Sequence, residues 1–347
     1  MTFRQNSKNF MKTSYHKQPL NKNSSNIRFG SIIVTYRCNA RCRMCSTWRF
    51  PTKPKEEIDA DVYEKLPFMN TINVTGGEPF VRDDLDDIIT VLKKKTKRLV
   101  ISSNGYFTER TLKLFDKHKN IGIRISIEGL PKANDDLRGI PDGFDHGIRT
   151  LIELRHKGVK DIGFAVTVCD KNAKDMIELY HLAKMMHIEF ATAAIHNSFY
   201  FHKFDNKFQQ PQIAVDEFTK LINELLKSKR IKDWFRAYFN YGLLNYIKGN
   251  PRLLPCEMGR DAFFLDPLGE ILPCNVINQS MGNLKEKSFN EIWNGPEAEK
   301  IRQKLKNCQK NCWMMGSVSQ QMKKYISRPT VWILKHKFLK KQFALQA

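Results

Sequence analysis

From about Ile32 to Ile195, short runs rich in β-branched residues alternate with amphipathic stretches, and this alternation leaves few folds open. The runs cover residues 31–36, 71–76, 98–103, 122–128, 162–168 and 189–195, with helical periodicity near 59–69, 84–96, 108–118, 144–157 and 173–187. Asp83, Asp84 and Thr108 stand where helix N-caps belong. Six strands interleaved with helices, without internal repetition, predict an α/β class: a parallel sheet with helices outside. An open barrel and a doubly wound plane both satisfy the pattern. Either one gathers functional groups at the C-terminal strand ends.

Beyond Ile195 the character changes. Residues 201–212 (FHKFDNKFQQPQ) read as a loop, and Val215 to Ile247 as helical. With 347 residues, 41% hydrophobic, the chain has core material for one large domain and a smaller one. The expected division is a basic polar arm over 1–28, a core over 29–196, a helical bridge over 197–254, a cysteine-rich unit over 255–316 and a basic amphipathic tail over 317–347. No run is long and apolar enough for a transmembrane helix, and the N-terminus lacks the apolar segment of a signal peptide. A cytoplasmic protein is expected, with peripheral membrane contact through the tail as an option.

Seven of the eight cysteines fall into two groups. In a chain without secretory features, such clustering points to metal or redox chemistry rather than disulfides. The string CNARCRMC follows the first strand and sets Cys38, Cys42 and Cys45 in a Cys-x3-Cys-x2-Cys spacing. Three thiolates in one loop can hold three irons of a cubane and leave the fourth open to a chelating ligand. A partial zinc site is the alternative, although structural zinc takes four ligands and no further Cys or His lies nearby in sequence. The second strand ends in Gly76-Gly77-Glu78-Pro79. Its glycines permit close backbone approach, and Glu78 offers a carboxylate to an ammonium group. An ordinary strand-to-loop turn is the plain reading.

The second group is Cys256-x17-Cys274 followed by Cys308-x3-Cys312, with a hairpin-type turn at Asp266-Pro267-Leu268-Gly269 between them. Four thiolates satisfy either zinc or an iron–sulfur cluster. Cys169 follows the fifth strand, where most lone cysteines are small buried hydrophobes. A hydrogen donor or base is the sharper reading. His196 and His202 follow the sixth strand; core or surface histidines are the default there. Glu257 and Arg260 lie beside the second group as further candidates for substrate contact.

CNARCRMC and GGEP together resemble the radical S-adenosylmethionine (SAM) family over residues 30–195. Ser103-Asn104-Gly105 looks like the family's polar turn beside SAM. Ser126-Ile127-Glu128-Gly129 looks like its Ser-x-Asp-Gly segment, with Glu128 in place of Asp. Leu137-Arg138-Gly139 resembles its Ile-Arg-Gly. Met44 stands before the third cysteine, where many members carry an aromatic. The resemblance implies a partial (β/α)6 barrel, a 4Fe–4S cluster on Cys38, Cys42 and Cys45, and SAM contacts from the GGEP turn, Ser126 and Arg138. Met44 would pack on adenine, and Glu128 also stands as a catalytic candidate. The implied chemistry is reductive cleavage of SAM to a 5′-deoxyadenosyl radical that takes a hydrogen atom from substrate. The second group resembles the SPASM/twitch extension in its shorter, four-cysteine form, implying one auxiliary 4Fe–4S cluster and electron transfer. A flavodoxin- or ferredoxin-type electron donor follows.

The formal charge of +22 is uneven: residues 1–28 carry six Lys/Arg, residues 317–347 carry seven, and neither segment has an acid. Solvated tails are the plain reading. Attraction to anionic lipid, to nucleic acid or to an acidic substrate is the functional one. The tail VWILKHKFLKKQF can lie on a membrane or pack on the barrel. The expected substrate is a small polar, glycan-type or lipid-linked metabolite that is oxidised or rearranged. Peptide maturation is the alternative. The short stretch before the first strand leaves no room for the N-terminal peptide-binding domain common in peptide-modifying relatives, which weighs against that alternative. RNA modification or a non-catalytic scaffold stand further back, and nucleic acid is not an expected partner.

Overall fold

Six parallel strands, β1 (Phe29–Ile33), β2 (Met69–Thr75), β3 (Thr96–Ser103), β4 (Gly122–Ser126), β5 (Ile162–Val168) and β6 (Glu189–Ala194), lie side by side in chain order. They are seen in a computed structural model that describes residues 27–339 and Phe343; most of the expected N-terminal arm lies outside these residues. The registers place Ile32 beside Val74, Val74 beside Ile101, and Ile125 beside Phe164. Side-chain alternation then sorts the strands. Ile32, Ile72, Val74, Ile101, Ile123, Ile125 and Phe164 enter the main core beneath the helices. Ser31, Asn73, Ser102, Arg124, Ala165 and Thr167 face a lumen. A hydrophobic outer face and a polar inner face are what an open barrel requires.

The covering helices are α1 (Leu85–Lys94), α2 (Thr108–Lys117), α3 (Pro131–Arg138), α4 (Gly143–His156) and α5 (Met176–Met185). Ile88, Ile89, Phe115, Leu151, Leu154 and Leu179 are their buried anchors. The helix expected near 59–69 is only a 3₁₀ turn, Ala60–Lys65. Leu66 precedes Pro67 and is extended, which stops it. Asp84 does occupy an N-cap, but its carboxylate pairs with Arg82 rather than the helix. Thr108 is the first helical residue, and its hydroxyl pairs with that of Thr150 at 2.7 Å.

The expected helical stretch over 215–247 is two antiparallel helices, α6 (Pro211–Lys227) and α7 (Ile231–Ile247). They break at Ser228, whose hydroxyl donates to Asp233 at 2.7 Å. The chain next forms β7 (Ala262–Leu265), which pairs in parallel with β1 and adds a seventh strand in line with the barrel. β8 (Glu270–Leu272) returns antiparallel across the Asp266–Gly269 turn, followed by β9 (Gly282–Asn283). The Asp266 carboxylate accepts from the Leu268 and Glu270 amides at 3.0 and 2.8 Å, and Gly269 takes φ +97°. Helices α8 (Phe289–Trp293), α9 (Pro296–Lys306), α10 (Met315–Lys324) and α11 (Ser327–Ile333) complete the described chain. No helix is long and apolar enough to cross a membrane among the described residues.

Candidate active site

The cysteine loop leaves the end of β1 and is held from three sides. On one side, Gly77 N–H donates to Thr35 O at 2.7 Å and Glu78 N–H to Arg37 O at 2.9 Å. The contact is so close that a Cβ at Gly77 would lie 2.3 Å from Arg37 O, and one at Gly76 2.8 Å from Thr35 O. The two glycines therefore let the second loop press against the backbone of the first. On the second side, Arg41 N–H and Arg43 N–H donate to Arg138 O and Leu137 O at 3.1 and 2.8 Å. Gly139, at φ +58°, ends α3 there. The third side is the segment 197–206. Ser46 N–H donates to Phe201 O at 2.7 Å, and Asn206 Nδ2 donates to Met44 O at 3.0 Å.

Within this frame Cys38, Cys42 and Cys45 all line one cavity of about 160 Å³. Gly76, Gly77, Met44, Glu128, Arg138, His196 and Tyr200 complete much of its wall. Among the described residues no three His, Cys, Asp or Glu come close enough to ligate a single ion. Three thiols spread around a cavity fit a polynuclear cluster better than zinc. Burial pushes the Cys38 thiol up to about 12, with Glu78 adding to it. Burial also raises Cys42, and the Arg138 guanidinium opposes that. Arg138 is thus the cation that favours thiolates here. It donates to Glu128 at 3.2 Å, and the other Glu128 oxygen accepts from Thr167 N–H at 2.6 Å.

Other expected residues lie elsewhere. Glu78 is fully buried and does not line the cavity: its oxygens accept from Phe80 N–H, Ser103 Oγ and Asn104 N–H at 3.1, 2.9 and 2.7 Å. Glu78, Ser103 and Asn104 thus form a support beneath the cavity, with Pro79 opening a 3₁₀ turn beside it. Ser126 ends β4 and lines neither this cavity nor the lumen. Cys169 is buried against Met44 and Leu137, as a small hydrophobe would be. His202 packs on Tyr36 and Phe50, away from the cavity. His196 does line it; burial lowers its basicity, and its Nδ1 lies 3.1 Å from Ala194 O.

Sequence reasoning missed Tyr200, Phe201 and Asn206, which wall the cavity from a loop with no periodic signal. Tyr200 OH donates to Gly76 O and lies 3.2 Å from Thr75 Oγ1. Glu57 was missed too. It is buried among Thr35, Thr52 and Arg37 and steadies the base of the cysteine loop.

The second group lines a different space. Cys256, Cys274, Cys308 and Cys312 all border the lumen, a cavity of about 1760 Å³. Burial pushes Cys274 up to about 11, and it raises Cys312 against the pull of Arg252. Trp313, next to Cys312, is buried flat against Gly242 of α7 and donates to Phe239 O at 2.8 Å. Glu257 is held by Lys324 and Tyr325 at 2.7 and 3.1 Å, and Arg260 lines the lumen nearby. The segment 197–206, which holds the first cysteine loop, also reaches the second group: Ser198 Oγ and Phe199 N–H donate to the carbonyl of Asn275, beside Cys274, at 2.7 and 3.1 Å.

Residues 32–183 match the family model of the radical SAM superfamily. The chain carries a radical SAM domain. Residues 256–313 match a second model, the SPASM iron–sulfur cluster-binding domain. The radical SAM and SPASM units bring a SAM-binding 4Fe–4S cluster, SAM itself and auxiliary iron–sulfur binding. Among curated relatives, Fe-coproporphyrin III synthase of Methanosarcina barkeri is 28% identical over 158 residues, 43% of this chain and 39% of that protein. The subtilosin biosynthesis protein AlbA of Bacillus subtilis is 24% identical over 291 residues, 78% of this chain and 60% of that protein. The matches thus span less than two thirds of either relative. The crystal structure of Streptococcus suis SuiB bound to precursor peptide SuiA has the same fold: TM-score 0.62 and 17% identity over 80% of this chain and 67% of that one.

Proposed function

We propose that this radical SAM enzyme abstracts a hydrogen atom from a peptide and acts as a peptide maturase. The observation that carries the reading is the lumen. It is large, and small or polar side chains make up much of its strand-borne wall, Ser31, Asn73, Ser102, Ala165, Thr167, Ala191 and Ala193, with Phe29, Val100 and Phe264 set among them. An extended main chain needs room and hydrogen-bonding partners on both sides, which such a wall offers. AlbA and the peptide-bound SuiB structure support the same substrate class.

Cys38, Cys42 and Cys45 would hold the catalytic cluster, and Arg138 would receive the SAM carboxylate. Glu128 fixes the guanidinium plane, and a planar fork suits a carboxylate. Met44 and the Gly76–Gly77 backbone would pack against the rest of SAM. Tyr200, Phe201 and Asn206 close the cavity against water. When bound, the cluster supplies the electron that splits SAM into methionine and a 5′-deoxyadenosyl radical. The substrate C–H bond then breaks as that radical becomes 5′-deoxyadenosine. Cys256, Cys274, Cys308 and Cys312 would hold an auxiliary cluster on the lumen wall, placed to accept an electron from the substrate radical.

One observation favours a second reading, a carboxylated small molecule. At the base of the lumen Arg98, Arg124, Lys160, Lys232 and Arg236 outnumber Asp161 and Glu189. Arg124 shares Asp161 with Arg98, and Arg236 shares Glu189 with Lys232. This cationic base suits a carboxylated macrocycle such as the Fe-coproporphyrin III synthase match suggests.

One experiment separates the two. Anaerobically reconstituted enzyme is given SAM, dithionite and the low-molecular-weight fraction of cells grown on deuterated medium. Deuterium entering 5′-deoxyadenosine marks a substrate in the pool. Transfer abolished by proteolysis of the pool supports the peptide reading. Transfer that survives proteolysis sinks it and leaves the carboxylated metabolite.

A further inference from the structure

α11 and the π-helical turn Leu334–Phe338 that continues it form one short rod rising from the rim of the lumen, which Tyr325, Ile326 and Arg328 line. One face is anchored. Trp332 stacks on Tyr241 of α7 at 5.1 Å, and Ile333 is buried. Lys337 Nζ donates to Leu226 O and Ser228 O at 2.5 and 3.1 Å. The rod is therefore held in one orientation.

Its other face is apolar and open. Val331, Leu334, Phe338 and Leu339 are 66, 50, 55 and 69% exposed. Steps of three and four residues set Val331, Leu334 and Phe338 on one stripe of the rod, and Leu339 follows just past its end. Exposed Ile326 stands just before the rod begins. At the other end, Phe338 meets Trp234 of α7 edge-on at 5.7 Å, close to the exposed Ile231. Single exposed apolar residues are ordinary; a continuous stripe on an anchored helix marks a contact surface.

The surrounding charge selects the partner. Residues 317–347 hold seven Lys/Arg and no acid. Exposed Arg328 and Lys335 flank the stripe, and exposed Lys229 stands two residues before Ile231. Two copies of this face would bring like charges together. An anionic bilayer accepts the apolar side chains and the cations at once.

We propose that this stripe is a docking face for an anionic lipid bilayer, and that docking sets the mouth of the lumen against the membrane surface. Ile326 and Arg328, at the start of the rod that carries the stripe, line the lumen rim, so the stripe begins beside that rim. The inference stands apart from the peptide reading; it concerns where the enzyme meets its substrate.

The test uses full-length, anaerobically reconstituted protein and sedimentation with vesicles of phosphatidylcholine alone or with about one third phosphatidylglycerol. The parent should bind the anionic vesicles, weakly or not at all the neutral ones, and less as salt rises. The variant V331S/L334S/F338S should bind at least about tenfold more weakly while keeping its iron and its SAM cleavage. Should the triple variant lose iron, L339E at the most exposed position serves instead. Equal binding to both vesicles, equal binding by parent and variant, or no binding at all overturns the proposal. So does a concentration-dependent dimer that the variant abolishes, which would make the stripe a self-association face.

Discussion

Replacing Gly77 by alanine places a Cβ 2.3 Å from Arg37 O, 2.7 Å from Arg37 C and 2.8 Å from Tyr36 O. All three are backbone atoms of the cysteine loop, so no side chain can swing aside. The second loop must retreat by roughly 1 Å to restore van der Waals contact. That retreat breaks or stretches the Gly77 N–H to Thr35 O and Glu78 N–H to Arg37 O hydrogen bonds. Two such bonds contribute about 2 kcal/mol net, and overpacking a tight contact adds about 1–2 kcal/mol. The sum, about 3–4 kcal/mol, corresponds to a fall of roughly 4–6 °C in apparent Tm for a chain of this length. Since the same loop frames Cys38, iron should fall by about four per chain, one cubane, with the auxiliary site still filled. The assay is differential scanning fluorimetry under anoxia alongside an iron count. A G77A protein with full iron and a Tm within about 2 °C of the parent would refute the clamped-loop reading.

Arg138→Lys keeps the positive charge near Cys42 and Glu128 but loses the planar fork; SAM affinity by anaerobic equilibrium dialysis should weaken about tenfold or more. Asp266 is held up at about 6, mainly by burial, so its stabilising contribution is complete below the unfolded value near 3.8 and is lost as pH rises through 6. Asp266→Asn can retain the turn's amide contacts without that charge. It should therefore raise Tm relative to the parent at pH 8, by the equivalent of about 1–3 kcal/mol, with little difference at pH 4; equal Tm values at pH 8 would count against it. Trp313→Ala opens a void against Gly242 beside Cys312, at a cost of about 3–5 kcal/mol, and should cost auxiliary iron before catalytic iron in a chelator titration.

The parallel strands were legible because their β-branched runs are buried on the helix side, and burial of that kind leaves a pattern. The cysteines were legible because ligand spacing is local. α3 carried a signal that went unread: Pro131 at its first position and Gly139 just past its end. The break between α6 and α7 had none, since both helices keep an apolar face and only the Ser228 turn separates them. The role of Glu78 was hidden for a different reason. A motif names a carboxylate but not its direction, and three donors from two loops decide that. Tyr200 and Asn206 reach the cavity by long-range contacts to Gly76 and Met44, which no short window contains.

β7 shares its ladder with β1, the strand that feeds the catalytic cysteine loop. The iron–sulfur extension is therefore not a cassette strung on a linker, free to be cut off or exchanged between homologues. Truncation near residue 255 would strip a strand from the sheet and expose the edge of β1 to any partner with a strand to offer. Chimaeras in this lineage should tolerate splicing only where β1 and β7 travel together.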